Sequence, residues 1–400
     1  MILPLRRAHF WLVALLALGT TAGFVGYEAT ASTAGRPALS QLSSVTASDH
    51  ASAATGQSRA AVTAAPTPSY VAADFQKFTA SVVVPSVVKP VIRGLIDRQG
   101  APAVADLAAV HAYVVKVNWA DLQPVAGGPI IANNVIDQAI ARVRQPDFLA
   151  AGVVLKLRVF AGIGAPNWAK ALGGAPIPFV NNQSGGSISG GTIGRFWTAP
   201  FEAAYADLQS KLAANYDTVP EVRELTMDGC STIFDEPFVR QFGAPANVAG
   251  LKGAGYTAAA DRDCILSMVK AHDVWKHTTS DIDLNPFPNI DSPAKNRDLA
   301  FTESVMQTCR TELGSRCGLQ NNALSTSKLA NNTFKKLYEA MSTLGSPLIF
   351  QTAASSRLGD PQQVLQNAIT LHANSVELPQ GYQTWPLRDL AGAALRLSSD

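Results

Sequence analysis

The chain has 400 residues, of which 47% are hydrophobic and 16% charged, which excludes a mini-protein or a wholly disordered chain. Lysine and arginine number 32, aspartate and glutamate number 30, and the formal net charge is therefore +2. No long basic run occurs, although proteins that bind nucleic acid usually carry a basic stripe. We therefore expect no nucleic-acid partner.

The first residues predict an export signal. Arg6 and Arg7 precede an uncharged, largely apolar stretch at residues 10–26, and Ala29-Thr30-Ala31 has the small-x-small pattern of a signal-peptidase site. We interpret residues 1–31 as a cleaved signal peptide. The alternative is an uncleaved anchor at residues 10–26, which would attach the protein to a membrane. In both cases the rest of the chain works outside the cytoplasm.

A low-complexity segment follows the signal. Residues 32–70 consist almost entirely of alanine, serine, threonine, glycine and proline. Such a segment has too little bulky apolar surface to offset the entropy of ordering its backbone. We expect a flexible linker over residues 32–70 and one folded domain over residues 71–400.

Four cysteines are present, and their spacing favours one of the three possible pairings. Cys309 and Cys317 can close a short loop, which leaves Cys230 with Cys264. Disulfides fit an exported protein. A metal site is not expected, because the sequence has no C-x-x-C or H-E-x-x-H motif and its six histidines are scattered.

From residue 85 onward, short β-rich apolar runs alternate with longer amphipathic stretches. The eight predicted strands cover residues 87–95, 113–119, 153–161, 222–228, 281–284, 316–321, 347–352 and 375–379. Helical periodicity lies between them, at residues 134–144, 201–214, 261–276, 329–344 and 362–371. This alternation predicts parallel strands joined by crossover helices.

Eight strand–helix units predict an α/β fold of the (β/α)8 TIM-barrel type. The alternative is an open doubly wound sheet. A nucleotide-binding sheet usually carries G-x-G-x-x-G or a P-loop, and the sequence has neither. We expect no cofactor.

In such a barrel, the active site lies at the C-terminal ends of the strands. The residues found there are mainly aromatic, amide and carboxylate, which is the mixture that binds sugars and cleaves glycosidic bonds. Glu236 and Glu377 are the glutamates best placed at strand ends, and both have apolar neighbours in sequence. Burial of that kind raises the pKa of a carboxyl group, as a general acid requires.

The segments VNWADLQP, KLRVFAGIGAPNW, RFW, FDEPF and SVELPQGY resemble the clan A barrel glycosidases, the cellulase- and β-galactosidase-like retaining enzymes. The resemblance covers about residues 85–395. It implies that Asp235-Glu236-Pro237 corresponds to the clan's Asn-Glu-Pro motif, with Glu236 as the acid/base. The clan carries its nucleophile on strand seven, where this chain has Gln351, whereas Glu377 lies on the predicted strand eight.

These observations predict an exported, retaining glycoside hydrolase that acts on O-glycosidic bonds, with Glu236 and Glu377 as catalytic residues. The residues expected to bind the carbohydrate substrate are Trp119, Asp121, Arg158, Trp168, Trp197, Asp235, Asn322, Gln351 and Tyr382.

Other interpretations remain open at this point. The protein could be an inactive carbohydrate-binding or cell-surface barrel that lacks the nucleophile. Glu377 could pair with Arg93 or Arg158 to brace the barrel mouth, and each tryptophan could serve only in packing.

Overall fold

A computed structural model of the chain describes residues 87–181, 190–292 and 297–399. The predicted signal peptide, the linker and the domain start at residue 71 lie outside these residues. The barrel strands are β1 Gly94–Asp97, β2 Val110–Asn118, β3 Val154–Phe160, β4 Val222–Thr226, β5 Thr279–Asp283, β6 Cys317–Leu324, β7 Leu348–Thr352 and β8 Ser375–Leu378.

The eight strands form a closed parallel barrel, which confirms the predicted TIM-barrel fold. Each strand pairs with the next in chain order, and β8 pairs with β1 through the register Ile96 to Glu377 to close the barrel. Closure leaves no free sheet edge in the barrel. The short fifth strand begins slightly before the predicted residues 281–284 and contains most of them.

Helices cover the outside of the barrel after every strand from β2 onward, and a short 3-10 helix, Val104–Ala108, connects β1 to β2. The longer helices are Val135–Val143, Ala199–Tyr216, Pro245–Gly253, Ala258–Ala271, Leu299–Leu313, Asn332–Leu344, Pro361–Thr370 and Leu387–Ser399. Shorter turns at the strand ends are Trp119–Leu122, Pro146–Ala150, Asn167–Lys170, Thr326–Leu329 and Ser355–Leu358. All five predicted helices are present with shifted ends. Among the described helices, none has both the length and the apolar character needed to cross a membrane.

The first barrel strand differs from its prediction, because β1 begins at Gly94 rather than at residue 87. Pro90 has no backbone N–H for a strand ladder, and Gly94 has a φ of +94°, which favours glycine. The segment before β1 instead runs to the N-terminal end of β5, where the Lys89 backbone N–H donates to the His277 carbonyl at 2.7 Å.

The barrel interior has an apolar floor and a polar upper part. The floor is a small separate cluster of Ile92, Ile96, Ala112 and Val114, against which Val154 packs. Charged and amide side chains replace the usual branched aliphatic residues above it: Lys156, Arg158, Glu224, Asp281, Asp283, Gln320 and Glu377 are all buried. The apolar core outside the barrel is much larger.

Both predicted disulfides are present. Cys230 is bonded to Cys264, which joins the loop after β4 to the helix Ala258–Ala271. Cys309 is bonded to Cys317 across the connection from the helix Leu299–Leu313 to β6. The two cysteines of the first disulfide are 34 residues apart in the sequence, and those of the second are 8 residues apart.

We expect the Cys230–Cys264 bond to contribute more stability than the Cys309–Cys317 bond. Loop-closure entropy gives about 4 kcal/mol for the longer loop and about 2.5 kcal/mol for the shorter one. Urea unfolding of the two double alanine variants, at one pH, measures the difference. A larger loss in the Cys309→Ala/Cys317→Ala variant would contradict the prediction.

Candidate active site

A buried lysine lies at the centre of the polar interior. Lys156, on β3, is completely buried and its Nζ contacts carboxylates from three other strands: Glu224 at 2.7 Å, Asp281 at 3.0 Å and Glu377 at 2.9 Å. It also donates to Gln320 Oε1 on β6. A buried ammonium is tolerated only when its charge is compensated. Lys156 therefore ties β3 to β4, β5, β6 and β8.

Arg158 lies two residues along β3, on the same inward face and closer to the barrel mouth. Its Nη2 donates to both carboxylate oxygens of Glu377, at 2.8 and 3.0 Å. Its Nε lies 2.5 Å from Asp235 Oδ2. Glu377 therefore forms the ion pair with Arg158 that was one of the alternatives considered from the sequence. Through its second ion pair, with Asp235, Arg158 links β8 to the loop after β4.

The loop after β4 carries Asp235 and Glu236 and is fixed at several points. The Thr232 carbonyl accepts a hydrogen bond from the Ile163 N–H at 2.8 Å, which joins this loop to the one after β3. Arg240 pairs with Asp261 at 2.6 Å, both completely buried. The Cys230–Cys264 disulfide adds a covalent link. Glu236 is thus held at the mouth although it lies ten residues beyond the end of β4.

The two candidate catalytic carboxyls have opposite electrostatic environments. Burial, with Asp235 beside it, raises the pKa of Glu236 to about 8, despite Arg158 and a hydrogen bond with Asn322. Burial acts on Glu377 in the same direction, but Arg158 and Lys156 outweigh it and lower its pKa to about 2. Near neutral pH, Glu236 therefore holds a proton and Glu377 is ionised. Carboxyls divided in this way can serve as acid and base.

Two further interior carboxyls, Asp283 and Glu224, are not among the site residues predicted from the sequence. Asp283, at the end of β5, is completely buried with neither oxygen hydrogen-bonded among the described residues, and burial raises its pKa well above the usual range. Burial likewise raises the pKa of Glu224, to about 7. A signal was available, because Lys156 and Arg158 interrupt the otherwise apolar strand β3 at alternate positions, and Asp281 and Asp283 alternate in the same way on β5.

Two predicted sugar contacts are core residues. Trp119 is completely buried, with its ring edge-to-face against Trp168 at 5.4 Å and Phe201 at 5.7 Å between centroids. Tyr382 is also completely buried and donates its hydroxyl to Asp97 Oδ2 at 2.8 Å. Neither ring has exposed surface in the structure, so packing accounts for both residues, and their role in substrate binding stays a prediction.

The other predicted contacts occupy different places around the mouth. Trp168 is half-buried, and its Nε1 donates to the Gln123 carbonyl. Trp197 is half-buried too, but it packs against Tyr256 at 5.1 Å between ring centroids. Asp121 is exposed and accepts from Asn118. No hydrogen bond or ion pair joins these three side chains to Arg158, Asp235 or Glu377.

Two amides lie closer to the carboxyls. Asn322, at the end of β6, accepts from Asn285 Nδ2 at 2.8 Å and hydrogen-bonds Glu236. Gln351, on β7, is the register partner of Glu377, and its buried Oε1 has no hydrogen-bond partner in the described part of the chain. The strand count is therefore correct, and the end of β7 carries an amide rather than a carboxylate.

No protein-family model and no curated protein matches the chain. Among solved structures, endo-glycoceramidase II from Rhodococcus sp. is 15% identical with a TM-score of 0.43, covering 77% of this chain and 81% of that one. The catalytic domain of β-amylase from Paenibacillus polymyxa is 12% identical with a TM-score of 0.47, covering 78% of this chain and 100% of that one. An endo-β-1,4-glucanase from Xanthomonas axonopodis pv. citri is 11% identical, with a TM-score of 0.46 and coverages of 77% and 100%. The chain is similar to these structures at levels that assign it no activity, so its function has to be inferred from its own residues.

We expect Gly162→Ala to displace the loop that carries Glu236. A Cβ at this position would lie 1.9 Å from the Thr232 carbonyl oxygen, so one of the two loops must move. Overpacking of this kind costs about 1–3 kcal/mol. Thermal unfolding should therefore show a lower Tm. Gly392→Ala is the control, because no atom lies within 4 Å of its added Cβ; equal Tm values for the two variants would contradict the prediction.

The stability of the fold should decrease as the pH rises from about 5 to 8. The folded state holds the Glu236 proton up to a pKa of about 8, whereas an unfolded glutamate loses it near about 4.3. The folded state therefore binds more protons in this interval, and stability falls with pH. Glu377 has the opposite effect, because its lowered pKa stabilises the folded state at neutral pH. This contribution is lost only as the pH falls from about 4 towards 2.

Urea unfolding at pH 5, 6.5 and 8 measures this dependence (about 1.4 kcal/mol per unit of pKa difference at most). Glu236→Gln should flatten the decline, because glutamine has no proton to lose. Glu339→Gln, at an exposed site on the helix Asn332–Leu344, serves as the control and should keep the wild-type slope. Identical slopes in all three proteins would mean that Glu236 is not protonated in the folded state.

Proposed function

We propose that the chain is an exported glycoside hydrolase whose general acid is Glu236. The observation that carries this proposal is the convergence of carboxyls from opposite sides of the mouth on one guanidinium. Arg158 contacts Glu377 from β8 and Asp235, the neighbour of Glu236, from the loop after β4. Glycoside hydrolysis requires such a pair, one carboxyl protonated and one ionised.

In this proposal, Glu236 protonates the leaving glycosidic oxygen. Its position at the C-terminal end of the barrel and its raised pKa support the role. Its Oε2 has no hydrogen-bond partner among the described residues, and so could donate to a substrate. Asn322, which hydrogen-bonds Glu236, would keep the carboxyl oriented.

The retaining form of the proposal assigns the nucleophile to Glu377. Its ionised state suits that role, because a carboxylate must attack the anomeric carbon and form a covalent intermediate. Both of its oxygens accept from Arg158, and the side chain has no exposed surface. Retention therefore requires this ion pair to open when substrate binds. NMR of the first-formed product anomer would establish whether configuration is retained.

Export is part of the proposal as well. The two disulfides support it, because disulfides persist in oxidising compartments and are rare in the cytosol. The basic and apolar start of the sequence supports it independently. Detection of the mature N-terminus near residue 32 in a culture supernatant would test it.

A second candidate function is a carbohydrate-binding barrel without catalysis. It is favoured by Gln351 on β7 and by the complete burial and ion pairing of Glu377. Such a protein would bind glycans at the same mouth and leave them intact. Binding without turnover would distinguish this candidate from the hydrolase.

The acid role is tested by Glu236→Gln. Hydrolysis of a glycoside with a poor leaving group should fall about 10²–10⁴-fold, the usual contribution of general acid catalysis. An aryl glycoside, whose phenol leaves with little protonation, should be affected much less in the first chemical step. In the wild type, kcat/KM should decline above pH 8, as Glu236 loses its proton.

Glu339→Gln again provides the control and should match the wild type on both substrates, since it lies on the outer surface. Equal rates in Glu236→Gln and wild type would remove Glu236 from the reaction. If the wild type cleaves no member of a broad aryl glycoside panel but binds glycans in calorimetry, the binding-barrel candidate replaces the hydrolase.

A further inference from the structure

Three cationic side chains meet at one side of the barrel mouth. Lys116 on β2 is the register partner of Arg158 on β3, so both lie at the same level of the barrel. Arg98 directly follows β1, and its Nη1 donates to the carbonyl of Thr352 at the end of β7, at 2.6 Å. The Arg98 side chain therefore crosses the end of β8, towards the carboxyls.

Only one of these cations is neutralised by a nearby carboxylate. Arg158 pairs with Asp235 and Glu377. Arg98 and Lys116 form no ion pair with any carboxylate in residues 87–181, 190–292 and 297–399, and the Lys116 side chain reaches solvent although neighbouring groups partly cover its ammonium. Burial, together with Arg158 and Arg98, lowers the pKa of Lys116. An additional negative charge at this position would therefore be stabilised.

The protein does not supply that charge from the neighbouring carboxyls. Glu377 is already shared between Arg158 and Lys156. Glu236 is protonated near neutral pH, because burial and Asp235 raise its pKa. Arg98 and Lys116 therefore remain without a carboxylate partner at the mouth that carries Glu236 and Glu377.

A cavity of about 440 Å³ opens beside Lys116, at the ends of β2 and β3. This volume lies within the usual range of small-molecule sites, about 300–1,000 Å³. Phe160 and Val135 give its wall apolar surface, and Asn118 gives it amide groups. Asp121 also lines the cavity, where it accepts from Asn118 Nδ2 at 2.9 Å. This lining suits a sugar ring with Lys116 at one end.

We infer that the glycan bound at this mouth is acidic, and that Lys116 and Arg98 bind the oxyanion of a hexuronic acid or a sulfate ester on one of its sugars. This inference deepens the proposed function, on which it rests. Charge-assisted hydrogen bonds from a lysine or arginine to an oxyanion are about twice as strong as neutral ones. Burial at a barrel mouth strengthens them further.

Calorimetry with three matched sets of oligosaccharides tests the inference: uronate-containing oligomers, the same oligomers after carboxyl reduction, and sulfated oligomers of neutral sugars. The full secreted protein is used. We expect an acidic set to bind about tenfold or more tightly than the carboxyl-reduced set, and less tightly as salt rises. Preference for the uronate or for the sulfated set identifies which oxyanion is recognised.

Lys116→Gln and Arg98→Gln should each weaken acidic-glycan binding about tenfold and bring the acidic-to-neutral affinity ratio towards one. Lys335→Gln, an exposed lysine on the helix Asn332–Leu344, is the matched control and should keep the wild-type ratio. Circular dichroism and Tm confirm that each variant is folded; if Arg98→Gln unfolds, Lys116→Gln alone decides.

The possible failures are distinct. Tighter binding or faster cleavage of the carboxyl-reduced set would overturn the acidic-glycan inference and leave the glycosidase proposal standing. Equal ratios in Lys116→Gln and Lys335→Gln would overturn the assignment to Lys116. Neither binding nor cleavage of any set, together with inactivity on aryl glycosides, would overturn the proposed function itself.

Discussion

The upper half of this barrel depends on two cations that β3 directs inward. Lys156 and Arg158 together contact carboxylates from β4, β5, β8 and the loop after β4. Removing one partner of a buried ion pair typically costs about 3–5 kcal/mol, because the remaining charge has no compensation. The interior can therefore hold many carboxyls only while both β3 cations are present.

The unequal numbers of cations and carboxyls in this interior determine the protonation states. Glu377, which contacts both cations, remains ionised, whereas Glu224, which contacts Lys156 alone, has its pKa raised by burial to about 7. Carboxyls that lie one shell further out, such as Glu236 and Asp283, are buried without a cation of their own, and burial raises their pKa. In the proposed hydrolase, the protonated state of Glu236 thus follows from its burial beside Asp235, which Arg158 only partly offsets.

The barrel fold could be predicted from the sequence, but the contacts between side chains inside the barrel could not. Most strands are apolar runs, and from β2 onward each is followed by a longer helix; this alternation depends on local periodicity that can be counted directly. Contacts across a closed barrel depend on strand tilt and stagger, which local periodicity does not contain. Hence the pairing of Arg158 with Glu377 was only one of several alternatives, and Lys156 was missed.

The positions of the aromatic side chains also could not be predicted from local sequence alone. A tryptophan immediately after a strand can face the mouth or turn under the first helical residues, and the two cases look alike in sequence. Trp119 begins the short helix Trp119–Leu122 and is enclosed by Trp168 and Phe201. Its burial follows from how the loops after β2 and β3 pack together, which no single segment specifies.

The position of Glu377 on the last strand also constrains the order of folding. A chain that leaves the ribosome from its N-terminus presents β3 more than two hundred residues before β8. Until β8 arrives, Arg158 lacks the carboxylate that contacts it with both oxygens. Arg158 gains this carboxylate only when β8 docks between β7 and β1 in the correct register. The Arg158–Glu377 ion pair thus forms only in a barrel that β8 has closed, and it favours that closure over pairing with any other strand.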